Sequence, residues 1–205
     1  HVPPGASADF AAAALLVQAL GDTPGGRLHK RLVEKHLAAG VFAYSFALAD
    51  PGVVVLGVQL APEQDVARAR AEAARVLDAL KTEPITAEEF ERARTQWLNA
   101  WDKGFTDPEV IGVELSEAIA QGDWRLYFLE RNHVRAVTLA DVQRVAGQWL
   151  KRDNRTVAVY LPTDKPQRAP APERIDMAQV MQAFKPAAAA SRAEAFVATP
   201  ANLRA

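Results

Sequence analysis

The chain has 205 residues, 49% apolar and 24% charged, which are ordinary globular proportions. Roughly its first 160 residues are enough for one domain with a sizeable buried core. A formal net charge of −1 offers no basic field for nucleic acid, and the absence of Cys excludes disulfides, thiolate nucleophiles and Cys-ligated metal.

No apolar run approaches the roughly 18 residues that a membrane span needs. The opening His1-Val2-Pro3-Pro4 carries no Met and no signal-like pattern, which predicts a piece of a longer polypeptide. Asp9 to Leu20 is almost entirely Ala, Leu, Val and Phe and predicts a buried helix ending near Gly21. Thr23-Pro24 reads as an N-cap with Pro at the first helical position. The helix so opened is expected to run to about Ala38 with Leu28, Leu32 and His36 on one face. Two strands follow, Val41–Leu48 and Val53–Leu60, joined by Asp50-Pro51-Gly52 as an antiparallel hairpin. The second is apolar on both faces for most of its length, which predicts a central place in its sheet.

Asp65 to Leu80 has helical apolar spacing. Thr86-x-x-Glu89 is a capping box opening a helix through about Trp101, and Asp107-Pro108 opens another through about Ala120. Trp124 to about Val134 reads as a further helix, and Thr138-x-x-Asp141 caps a last one ending at Leu150. Arg155 to Leu161 alternates weakly and predicts a final strand in the same sheet. Residues 1–162 thus form one predicted domain. Residues 163–205, broken by Pro166, Pro170, Pro172 and Pro186, read as a Pro/Ala-rich linker or arm with a short helix near Ile175 to Phe184. The order of elements implies an α+β domain, an antiparallel sheet covered on one face by helices.

A search for chemistry finds no catalytic constellation. The four His (His1, His29, His36 and His133) include no pair at the i, i+4 spacing of a helical zinc site. His29 and His36 lie about two turns, or roughly 10 Å, apart along a helix, too far for one tetrahedral ion. None of Ser45, Ser116 and Ser191, three of the four Ser, sits in a Gly-x-Ser-x-Gly elbow. Gly25-Gly26 lacks the Lys and further glycines of a phosphate loop, so close packing accounts for the pair. Glu88, Glu89 and Glu91 complement a helix N-terminus, and Trp97, Trp101, Trp124 and Trp149 fall on apolar stripes expected to face the core.

The phrase Leu20-Gly21-Asp22-Thr23-Pro24-Gly25-Gly26-Arg27-Leu28 follows the Ala/Leu helix, and Leu32-Val33-Glu34-Lys35, Ala43-Tyr44-Ser45 and the strand Gly52 to Leu60 come after it. Ile85-Thr86-x-x-Glu89-Phe90 and Val137-Thr138-x-x-Asp141-Val142 extend the pattern. In this order, over residues 1 to 162, the chain resembles the repeated domain of the insulinase/pitrilysin/mitochondrial-processing-peptidase family. The resemblance implies a LuxS/pitrilysin-like metallopeptidase fold. In that family one domain carries an inverted zinc motif, His-x-x-Glu-His, which this sequence lacks. The resemblance therefore implies the non-catalytic domain of a zinc metalloendopeptidase. It would have no catalytic or metal residues of its own, and zinc would sit in a companion catalytic domain of the same polypeptide.

It further implies that peptide substrate and the companion domain are the partners, that nucleic acid and a membrane span are not involved, and that a bacterial periplasm is the setting. The segment Ala195 to Asn202 resembles the start of an interdomain linker. Some non-catalytic family domains present an Arg and a Tyr from a Leu-Arg-Glu…Gly-Leu-Ala-Tyr phrase. Here Val33 follows Leu32 in the Arg place. Arg31 is displaced by one residue, about 100° around a helix. Tyr44 and Arg31 are thus the candidate substrate-binding residues. Two other readings stay open, a structural assembly module without peptide contact and a small-molecule enzyme with an unrecognised site.

Overall fold

A computed structural model of the chain describes residues 1–185. The chain divides into two compact units, His1–Ala158 and Val159–Ala205. In the first, helix α1 (Ala8–Gly21) is the core element. Its sequence is apolar all round rather than on one stripe, and Phe10 through Val17 are all buried. The Ser7 side chain accepts a hydrogen bond from the Asp9 amide and so caps it.

Strands β1 (Gly40–Phe46) and β2 (Val53–Gln59) form the antiparallel hairpin expected from the sequence, in the register Gly40↔Gln59 to Phe46↔Val53. Val41, Val54, Leu56 and Val58 turn inward and pack on the core that contains α1. Around them lie α2 (Val66–Asp78), α3 (Ala87–Gly104), α4 (Pro108–Ala120), α5 (Leu126–Ala136) and α6 (Leu139–Trp149). Both predicted capping boxes form: Thr86 with Glu89 starts α3, and Thr138 with Asp141 starts α6. The Arg144 guanidinium of α6 reaches Asp9 at 2.6 Å, tying α6 to the first turn of α1. The fold is thus α+β, helices on one face of an antiparallel pair, as expected.

Several expectations need correction. Residues 24–38 form no long helix: Thr23–Pro24 is cis and lies in a turn, and a single π-helical turn spans His29–Val33. Leu28 and Leu32 are buried as expected, but His36 is exposed with φ 56° and closes the turn instead of extending a helix face. Strand β2 is not central, because among the described residues β1 is its one neighbouring strand and Val2 bridges only its entry at Gly52.

Residues 155–161 form no strand. Val157, Val159 and Leu161 are exposed, with no sheet neighbour to satisfy their backbone groups. Trp124 precedes α5 and is 52% exposed, whereas Trp101 is buried and Trp97 and Trp149 are packed against the core. In the second unit, α7 (Met177–Gln182) is capped by Asp176. The linker-like segment at 195–202 lies outside the described residues.

Candidate substrate-facing surface

A two-stranded antiparallel sheet with one face on the core presents its other face outward. On β1 that outward face is Phe42, Tyr44 and Phe46, whose rings form a continuous row with centroids 5.4 Å and 6.5 Å apart. Directly opposed residues share a face, so Gly57, Val55 and Val53 of β2 stand beside the three rings. Gly57 is required by this packing: a Cβ there would lie 1.9 Å from the Phe42 ring, which covers the bare backbone. Tyr44 is 55% exposed and Phe46 50%, leaving large aromatic surface in solvent.

The structure places Arg31 elsewhere. It lies on the π-helical turn, with its guanidinium 4.0 Å from Glu72 and 3.8 Å from Glu83. Glu72 is 6% exposed and also pairs with Arg75, so Arg31 contributes to charge compensation for a buried carboxylate. Arg31 lines a cleft of about 700 Å³ with Arg27, Lys30 and Glu83. Arg27 is spent within the fold, donating to both carboxylate oxygens of Glu89 at 2.6 and 2.7 Å and to the carbonyls of Glu83 and Pro84. Burial pushes the Glu89 carboxyl up, but the Arg27 and Thr86 hydrogen bonds outweigh it and hold the group below its ordinary range. Neither hydrogen bond nor ion pair joins Arg31 to Tyr44 among the described residues.

The residues weighed for metal do not fit it. His29 opens the π-helical turn while Glu34 and His36 leave it exposed, and no group of three His, Asp or Glu among the described residues could hold an ion. Gly25 and Gly26 serve packing: the Arg92 guanidinium donates to the Gly25 carbonyl at 2.9 Å, and a Cβ on Gly26 would lie 2.6 Å from the Asp22 carbonyl oxygen. Phe42 and Phe46 were missed in the sequence because an alternating strand does not reveal which face is left uncovered.

This is a helix-covered antiparallel hairpin whose outward face is aromatic. The sequence profile of the peptidase M16 inactive domain matches residues 1–97. The chain is 48% identical to the inactive peptidase domain of a Bordetella parapertussis protein assigned as a zinc protease. That match covers 83% of this chain and 91% of that one, with a TM-score of 0.75. A Bordetella pertussis protein with the same assignment is 47% identical over 80% of this chain and 91% of its own, with a TM-score of 0.73. A Helicobacter pylori protease at 21% identity and TM-score 0.67, covering 73% of this chain and 37% of that one, shares the fold. No curated protein matches the sequence. The chain belongs to the peptidase M16 inactive-domain family. It is the non-catalytic domain of the insulinase/pitrilysin kind that the sequence resembles.

Proposed function

We propose that this domain forms a wall of the peptide-binding space of a zinc metalloendopeptidase, holding substrate in extended form and supporting a zinc-bearing companion domain. The observation that carries this reading is the row Phe42, Tyr44 and Phe46 on a hairpin whose β1 has no second strand neighbour among the described residues. An extended peptide added beside such a strand gains main-chain hydrogen bonds with little demand on its sequence, and exposed aromatic rings supply apolar contact to alternate side chains. Zinc belongs to the companion domain in this reading. Exposed Val110 and Val113, one turn apart on α4, offer that domain an apolar docking surface.

Tyr44→Ala in the parent protease tests the assignment. Loss of one aromatic contact from a peptide held in ground and transition states alike raises KM several-fold and leaves kcat unchanged. An unchanged KM in Tyr44→Ala and Phe46→Ala together removes the peptide-contact role and leaves a structural assembly module.

A further inference from the structure

Val2 pairs antiparallel with Gly52 at the entry to β2, and its amide donates to the Gly52 carbonyl at 2.9 Å. Partners in an antiparallel ladder keep a constant sum of residue numbers. A chain traced backwards from Val2 therefore runs along β2, with His1 opposite Val53. One side of β2 is filled by β1 from Val53 to Gln59, so the continuation takes the other side, where no strand lies among the described residues.

Backbone groups alternate in direction along an extended strand, so Val2 faces Gly52 and the groups of His1 face away from β2. Asn154 meets them there. Its side-chain amide donates to the His1 carbonyl at 2.7 Å, and its Oδ1 accepts from the His1 nitrogen at 3.3 Å. Asn154 is itself held by the Trp149 carbonyl at 2.7 Å, and Arg155 donates to Asp78 at 3.0 Å. The chain that leaves α6 thus stands beyond His1 and not against β2. The edge left open is apolar, with Val53, Val54, Val55, Leu56 and Val58 among its seven residues. A long apolar edge with unpaired N–H and C=O groups is a template for a further strand, and proteins pair or cover it.

We infer that this edge is filled by the roughly six residues that precede His1 in the parent polypeptide, as a strand antiparallel to β2. The register follows from the Val2 pairing: the first residue before His1 lies opposite Val54, the second opposite Val55 and the third opposite Leu56. Val54 and Leu56 pack on the core, so the first and third are expected to be apolar. Filled in this way, β2 is closed to substrate and β1 is the edge left for a peptide. The inference rests on this chain being one domain of a longer protease, and it stands whether or not the domain binds peptide.

The test is made in the parent protease, by combining Val55→Cys with a Cys in place of the second residue before His1. This pair is one whose backbone groups face away from each other, with Cα atoms about 4.5 Å apart, within disulfide reach. This chain brings no Cys of its own to compete. Mild oxidation is expected to join the pair in more than half of the molecules, read by mass spectrometry of the linked peptides. Moving the upstream Cys by one residue, to the opposite face of the strand, is expected to leave both thiols free. In the unsubstituted parent, the outward amides of Val54, Leu56 and Val58 are expected to exchange hydrogen within tenfold of those of Val53, Val55 and Gly57, which face β1. Outward amides that exchange at least a hundredfold faster would show an open edge and overturn the inference. Slow outward amides with both thiols free would assign the edge to another segment and overturn it equally. A disulfide only in the shifted pair would overturn the register. An unchanged KM in the Tyr44 and Phe46 variants removes peptide contact and leaves each of these results as it stands.

Discussion

Glu130 carries the clearest pH signature in the molecule. Its carboxyl is raised from 4.5 to about 7, by burial first and by Glu114 second. At pH below 4.5 both folded and unfolded chains hold this proton, so it costs nothing. As pH rises toward 7 the unfolded chain releases the proton while the folded chain keeps it, so stability falls and the full penalty is present above 7. The penalty is at most about 3 kcal/mol. Glu130→Gln is therefore expected to match the parent at pH 4 and exceed it by about 1–3 kcal/mol at pH 8, read from urea unfolding at both pH values. Equal midpoints at pH 8 would show that the carboxyl is not held in an unfavourable setting. Arg27 acts in the opposite direction. It compensates Glu89 where the two side chains are 16% and 14% exposed, so Arg27→Ala leaves a largely buried carboxylate without its cation and two carbonyls without their donor.

That ion pair is also part of an element boundary. Glu89 accepts from Arg27 and, through the capping box, from the Thr86 amide, so the start of α3 and the turn before the π-helix share one carboxylate. Arg27→Ala is expected to cost about 3 kcal/mol and Thr86→Ala about 1 kcal/mol. Their double variant should depart from the sum by at least about 0.5 kcal/mol, measured by chemical denaturation. Strict additivity would mean that the two bonds to Glu89 are independent. Asp107→Ala, which removes the cap of α4 at a helix that does not line the Arg27–Thr86 cleft, is the additive control.

Elements of this kind were legible before folding, because a capping box or an Asp50-Pro51-Gly52 turn is local chemistry that tertiary contacts only have to accept. The stretch after Thr23 was not, because two buried leucines at i, i+4 also suit a single π-helical turn, and its end at His36 is set by the left-handed φ of 56°. Residues 155–161 alternated as a strand should, but alternation does not create a neighbour to pair with. Of the candidate site, Tyr44 was visible as part of a motif. Phe42 and Phe46 were not, since alternation along a strand does not reveal which face is left uncovered.

At the scale of the whole molecule the fold separates support from display. The apolar α1 and the inner faces of the surrounding helices and hairpin hold the first unit together. The aromatic row lies on the outer face of β1, and Glu114, Glu117 and Glu130 line a cavity at its end. No described helix is long and apolar enough to cross a membrane. This is the architecture of a domain in the M16 peptidase inactive-domain family, to which the chain belongs.

The most direct test of the peptide-clamp account is cleavage of a fluorogenic peptide by the catalytic part of the parent protease. It would be run without this domain and with the domain titrated in, and zinc would be measured in each preparation. The account predicts activity that rises with added domain and saturates at one equivalent, with zinc confined to the catalytic part. Activity that is already complete without the domain, or stoichiometric zinc in the domain itself, would contradict it.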